Sequence, residues 1–158
     1  MAQSLLGKTA LVTGGGGGIG SAICRALASE GATLIITYSS NQAKAQSLAD
    51  ELAGDNHLVM QASVDNSEHQ EALAQAITDK YGKLDILVNN AGIQHVSPVE
   101  DFPEDKWDAI IAINMSSAFH TTKAAVPGMR EKGWVRIINI ASVHSLVASP
   151  YKSAYVTA

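Results

Sequence analysis

The chain carries a single cysteine, Cys24, so no internal disulfide can form and nothing in its cysteine usage marks an oxidising compartment. The expected role of Cys24 is a small apolar side chain buried on a helix. There is no basic block to meet nucleic acid and no acidic tail; the net charge of −4 comes from acids and bases interspersed along the chain. No stretch reaches the ~20 apolar residues of a membrane span, and the first residues lack a basic segment followed by an apolar one. No membrane partner is expected, and the expected location is the cytoplasm. Internal repeats and low-complexity linkers are absent too, so residues 1–158 read as a single domain. The five histidines (His57, His69, His95, His120, His144) show no metal-ligand spacing, and no metal site is expected.

What is present is aliphatic. Hydrophobic residues make up 46% of the chain against 16% charged and 5% aromatic, a balance that suits a parallel sheet covered by helices. Nearly continuous apolar runs at 9–13, 33–38, 57–62, 84–89 and 134–140 have the length and Val, Ile and Leu content of strands buried on both faces. Between them, apolar residues recur at helical spacing. Ile19, Ile23 and Leu27 define a helix over about 19–30 that Gly31 stops. Ala45, Leu48, Ala49 and Leu52 define another over 42–53, followed by Gly54. Asn66 or Ser67 caps a third, with Leu73 and Ile77 on its inner face. Pro103 opens a segment through Trp107, Ile110 and Ile111, and a longer helix is expected from about 115 to 132, closed by Gly133. Pro127 inside that pattern should kink or interrupt it. Strand, helix, strand five times over, with right-handed crossovers, gives an α/β fold: a Rossmann-type doubly wound parallel sheet.

The turn after the first strand reads Thr13-Gly14-Gly15-Gly16-Gly17-Gly18-Ile19-Gly20. Glycines at such a turn let the backbone bend tightly and approach a pyrophosphate, while the helix that follows offers free N–H groups and a positive dipole. Five glycines in a row could also be a flexible loop. A strand before them and an amphipathic helix after them favour phosphate binding.

Thr13-Gly14-x-x-x-Gly18-Ile19-Gly20, Asn89-Asn90-Ala91-Gly92 after the fourth strand, and Ser142 thirteen residues before Tyr155 together resemble the short-chain dehydrogenase/reductase family, over the whole chain. In that family the tyrosine opens Tyr-x-x-x-Lys, whose lysine would be position 159. The chain therefore reads as the N-terminal, cofactor-binding part of such an enzyme, incomplete at its C-terminus, and inactive as residues 1–158 alone. The resemblance implies dinucleotide contacts at Gly14, Gly18, Ile19, Gly20, Tyr38, Ser63, Val64, Asn90, Ala91, Gly92 and Tyr155. Ser63-Val64 stands where the family often carries Asp-Val near adenine. The second strand ends Tyr38-Ser39-Ser40-Asn41, without the acid that binds a ribose 2′-hydroxyl and without an arginine. Absence of a strong cation favours NAD as cofactor and leaves NADP open.

The same resemblance makes Tyr155 the acid/base, Ser142 a hydrogen-bond partner of the substrate oxygen, and Asn114 the holder of a proton-relaying water. A free phenol, with pKa ~10, is a poor base at neutral pH, so a cation must favour the phenolate. From about Ile93 onward the wording is similar to the bacterial D-3-hydroxybutyrate dehydrogenases, in which residues matching Gln94, His144 and Lys152 hold the substrate carboxylate. Before it, the wording looks more like the 3-oxoacyl-acyl-carrier-protein reductase branch. The implied activity is hydride transfer between a nicotinamide and a small hydroxy or keto acid, D-3-hydroxybutyrate and acetoacetate, in a homotetramer. A broader NADPH-dependent 3-oxoacyl reductase and an inactive nucleotide-binding fragment are the competing readings.

Overall fold

The computed structural model describes residues 4–158. Its strands are β1 (Thr9–Val12), β2 (Thr33–Tyr38), β3 (Leu58–Gln61), β4 (Ile86–Asn89) and β5 (Arg136–Asn139). They form one parallel sheet in the order β3-β2-β1-β4-β5. The strand order reverses beside β1, which pairs with β2 on one side and β4 on the other. In open sheets of this kind ligands bind at that reversal, beyond the carboxyl ends of the strands.

The strands carry apolar residues at successive positions because both faces are covered. Ala10, Val12, Leu34, Ile36, Ile86 and Val88 face α1 (Gly18–Ser29) and α2 (Gln42–Glu51), whose Cys24, Ala28, Ala45 and Leu48 complete that layer. Leu11, Ile35 and Leu87, one residue out of phase, face Leu73 and Ile77 of α3 (Ser67–Tyr81) and Met129 of α5 (Ser117–Arg130). Burying a Leu or Ile fully contributes about 1.5–3 kcal/mol, and Leu34, Ile35, Ile36 and Leu87 are all sealed from solvent. A one-residue slip would exchange the two layers, so the register is firmly set.

The elements are shorter than their sequence patterns by a residue or two at most ends. Leu52, expected inside the second helix, is already extended and tucked under it. Asn66 is the cap of α3: its side chain accepts the His69 N–H at 3.1 Å.

The larger departure follows β4. Instead of two separate helices, α4 (Glu104–Ile110), a π-helical turn (Ile111–Ser116) and α5 run on without a break. The Ser117 hydroxyl donates to the Ile113 carbonyl at 2.6 Å and Thr121 to the Ser117 carbonyl at 2.9 Å, hydroxyl bonds that serve the displaced backbone. The wide turn shifts the apolar period, so Ile110 is buried while Ile111 and Ile113 are half-buried. Pro127 does not interrupt α5. It cannot donate to the Lys123 carbonyl, but both residues lie on the exposed side, where water reaches that carbonyl.

A polar knot closes the amino ends of the strands. The buried Asp85 carboxylate accepts the Thr9 N–H at 2.9 Å and the Lys132 ammonium at 2.9 Å, with Lys8 at 3.5 Å. Burial would push this carboxyl up; the Lys132 bond, the Thr9 N–H and the charges of Lys132 and Lys8 outweigh it and hold it below its ordinary value. Lys8 and Arg136 both lie over the Trp134 ring, 4.8 and 4.6 Å from its centre. No helix among the described residues is long and apolar enough to cross a membrane.

Candidate cofactor cleft and active site

The cleft lies over the carboxyl ends of β1, β2 and β4, and its floor is built by the glycine turn. Gly14 has φ +61°, and a side chain there would stand 3.1 Å from the Ala91 Cα. At Gly20 a Cβ would meet the Gly14 carbonyl at 2.6 Å and the Asn90 amide at 2.7 Å, contacts that no real side chain survives. Gly18 is different. Beyond its own helix turn nothing lies within 4 Å of its Cβ position, and it lines the open cleft, so its lack of a side chain keeps that space clear. α1 opens at Gly17 with no side-chain cap, which leaves the first N–H groups of the helix for a phosphate.

Thr13 joins this turn to the loop after β4. Its hydroxyl accepts the N–H groups of Asn90 and Ala91, each at 3.0 Å, and the Asn90 side chain donates back to the Thr13 and Gly14 carbonyls at 2.9 and 3.2 Å. Asn89 works sideways: it donates to Asn139 of β5 at 2.8 Å and accepts from Thr121 of α5 at 2.6 Å. The loop that follows is held by Asn114. That amide accepts the Ile93 N–H and donates to the Ile93 carbonyl, both at 2.9 Å. One amide hydrogen of Asn114 remains to meet a water.

Three connected cavities result. The central one, of about 470 Å³, is lined by Gly14, Gly18, Ile19 and Gly20 from the turn, by Tyr38 of β2, by Ser63 and Val64 after β3, and by Asn90, Ala91 and Gly92. Every residue expected to contact the dinucleotide lies there except Tyr155. A second cavity, about 390 Å³, adjoins it through Ile19 and the 90–93 loop and brings together Gln94, Asn114, Ser142 and Tyr155. Ser142 caps a 3-10 turn (Val143–Ser145), its Oγ accepting the His144 N–H at 3.2 Å. Tyr155 sits on α6 (Ser153–Thr157). His144 is not on the cavity wall but packs edge-on against the Tyr155 ring, centroids 6.0 Å apart. Lys152, at the N-terminal boundary of α6, is not among the lining residues. The Tyr151 carbonyl accepts the Ser97 N–H at 2.9 Å and so ties that segment to the loop carrying Gln94.

The structure adds residues that the sequence pattern did not single out. Ser145 lines the second cavity, its hydroxyl donating to the Ser142 carbonyl at 2.7 Å. The Ser63 hydroxyl donates to the Asp65 carboxylate, and the Ser63 N–H donates to His69 Nδ1 at 3.1 Å. The third cavity, about 290 Å³, lies around the end of β2, whose Tyr38-Ser39-Ser40-Asn41 carries no cation, and has Lys44 of α2 on its wall. No cue local to β2 brings a residue of the next helix to this spot; only the fold does. His57 is spent structurally, its Nδ1 accepting the Leu34 N–H at 2.9 Å. Among the described residues no three His, Cys, Asp or Glu side chains gather as a metal site.

The glycine cradle, the free helix start and the open space at Gly18 fit a dinucleotide. Comparison with known proteins points the same way. The family model described as short chain dehydrogenase matches residues 8–158. A D-beta-hydroxybutyrate dehydrogenase of Cupriavidus necator is 50% identical over 155 residues, 98% of this chain and 60% of that protein. Its counterpart in Rhizobium meliloti is 48% identical over 154 residues, 96% of this chain and 60% of the relative. A 3-oxoacyl-acyl-carrier-protein reductase of Vibrio cholerae is 43% identical over 156 residues, covering 99% and 63%. The chain thus spans about three fifths of the length of these curated relatives.

Proposed function

The chain belongs to the short-chain dehydrogenase family, and from that premise we propose that the complete protein interconverts D-3-hydroxybutyrate and acetoacetate with a nicotinamide cofactor. The observation that carries this reading is the single cavity shared by Gln94, Asn114, Ser142 and Tyr155, next to the glycine cradle. NAD is the proposed cofactor, with NADP the alternative: the end of β2 carries neither acid nor arginine, while Lys44 of α2 lies on the cavity wall nearby.

The bound nicotinamide supplies or accepts the hydride, which leaves the protein to manage a proton and to hold an oxygen and a carboxylate. Tyr155 takes the proton from the substrate hydroxyl or returns it to the ketone. Ser142 hydrogen-bonds the same oxygen, and Asn114 fixes both the Ile93 loop and a relay water. Gln94, His144 and Lys152 are the proposed carboxylate partners, because a short β-hydroxy acid is an anion that needs donors and a cation near its reacting carbon. The edge contact of His144 on Tyr155 supports coupling between the two ends of that substrate. In the family the phenolate is favoured by a lysine four residues on, position 159 here; a polypeptide of residues 1–158 alone is expected to turn over negligibly. A homotetramer is proposed for the complete protein, supported by Met115 and Phe119, 48% and 62% exposed on the helical run after β4.

A second reading, an NADPH-dependent 3-oxoacyl reductase, draws support from the 43% identical Vibrio relative. Steady-state rates of the full-length protein separate the two. Turnover of free D-3-hydroxybutyrate is expected, with His144→Ala and Lys152→Ala each lowering kcat/KM by about one to two decades. Reduction of an acetoacetyl thioester with no turnover of the free acid would sink the first reading.

A further inference from the structure

We infer that Tyr151 is a positioning residue for the substrate: its left-handed backbone, not its ring, sets the spacing between the loop of Gln94 and the start of α6, where Lys152 and Tyr155 stand. The inference rests on the hydroxy-acid reading above. Tyr151 has φ +63°, and among the described residues the only other non-glycine with a positive φ is Asn56, at +65°. Asparagine tolerates that region because its short polar side chain can bond locally; tyrosine has no such help, and the conformation is unfavourable for it. Burial brings no compensation, since Tyr151 is 60% exposed. Strain of this kind persists only where the surroundings impose it, and it gathers at functional sites.

What the strain secures is one bond. The Tyr151 carbonyl accepts the Ser97 N–H at 2.9 Å, the one backbone hydrogen bond, among the described residues, between the loop at 93–98 and the segment at 146–152. Gln94 lies three residues before Ser97 on one side of that bond; on the other, Lys152 is next in the chain and Tyr155 four residues on. Returning φ to the negative side would reverse the turn at Tyr151 and carry its carbonyl away from Ser97. Pro150, immediately before it, has a fixed φ and cannot absorb the change. Tyr155 would be spared. α6 is anchored by the fully buried Ala154 and by its own ladder, in which the Val156 N–H donates to the Lys152 carbonyl at 2.9 Å and the Ala158 N–H to the Ala154 carbonyl at 3.0 Å. The Gln94 loop would part from Lys152 while the acid/base kept its place. A change of backbone at Tyr151 is therefore felt in substrate binding before it is felt in the chemical step.

The test uses the full-length protein, with steady-state kinetics on D-3-hydroxybutyrate, NADH titrations by fluorescence and thermal melts. Tyr151→Gly and Tyr151→Asn accept a positive φ, and both should keep the wild-type KM within about twofold. Tyr151→Val and Tyr151→Thr, branched at Cβ, resist it. Both should raise KM about tenfold while kcat and NADH affinity stay within about twofold. A purely structural role would lower melting temperature, kcat and NADH affinity together, and that pattern overturns the inference. Should one branched variant fail to fold, the other carries the same criteria; failure of both is the structural pattern. A KM raised equally by all four substitutions assigns the role to the ring and overturns the inference, as does a KM that none of them moves. In each of these cases turnover by the wild type leaves the substrate reading standing. If the wild type does not turn over the free acid, the substrate reading falls and takes this inference with it.

Discussion

Thr13 and Asn90, at the ends of neighbouring strands, are bonded in both directions: the Asn90 N–H reaches the Thr13 hydroxyl at 3.0 Å and the Asn90 side chain reaches the Thr13 carbonyl at 2.9 Å. The Thr13 hydroxyl also receives the Ala91 N–H, so one oxygen serves two backbone donors of the cleft loop. Thr13→Val keeps the shape and removes that oxygen. It is expected to cost about 2 kcal/mol by stranding two partly buried donors, and to weaken dinucleotide binding, whereas Thr13→Ser should retain both properties. Urea melts and nucleotide titrations of the three proteins check this.

Two glycines, Gly18 and Gly20 at the start of α1, should respond in opposite ways. Gly20→Ala forces its Cβ onto the Gly14 carbonyl and is expected to destabilise the fold by about 1–3 kcal/mol. Gly18→Ala meets no protein atom, so stability should stay within about 0.5 kcal/mol of wild type while nucleotide affinity falls. Equal melting with undiminished binding in Gly18→Ala would remove the argument that its empty space belongs to a ligand.

The Asp85 knot sets an acid limb on stability. Its folded carboxyl lies below the ordinary value, so the stabilisation is fully present above the unfolded-state pKa of ~3.9 and is lost as pH falls through the lowered folded value. Asp85→Asn is expected to cost about 2 kcal/mol at pH ~7, leaving Lys132 and Lys8 without their counter-charge. The gap between variant and wild type should narrow as pH falls through the lowered folded value, where the wild-type carboxyl also protonates. Denaturation at neutral and at acid pH, compared pairwise, decides the matter.

Cys24 is sealed in the layer between α1 and the sheet, and burial, offset slightly by Arg25, pushes its thiol up to about 12. Thiolate is the reactive form, so a disulfide reagent at neutral pH should label Cys24 only as fast as the protein unfolds. Labelling that is fast in native buffer and insensitive to denaturant would contradict its position.

Strand positions were legible because β1, β2 and β4 are buried on both faces, and residues such as Leu34, Ile35 and Ile36 leave no polar gap to misread. The glycine turn was legible because its setting is local: β1 runs straight into it, α1 starts from it, and Gly20 answers to the Gly14 carbonyl. The continuity of α4 into α5 was hidden, since the π turn at Ile111–Ser116 displaces the apolar period and reads as an interruption. Pro127 misled in the opposite sense, its usual penalty being softened by an exposed face. Lys44 could not be found from the end of β2 at all. It reaches that site from the first turn of the next helix, and nothing in Tyr38-Ser39-Ser40-Asn41 announces it.

β1 and β4 are clamped at both ends, by Thr13 and Asn90 above and by Thr9 and Asp85 below. A strand pair held at one end can peel from the other; one held at both must break a polar clamp before its first ladder bond opens. The amides of Leu11 and Leu87 should therefore exchange with solvent only through global unfolding, the slowest class in the molecule. β3 is tied to β2 by His57, which accepts the Leu34 N–H, and by Gln61, which donates to the Ser39 carbonyl, but it is an edge strand that pairs with β2 alone, and three of its four side chains are only half-buried. Ser63 and Val64 follow β3 after Ala62, so their end of the groove would loosen first while the end beside Tyr155 keeps its floor.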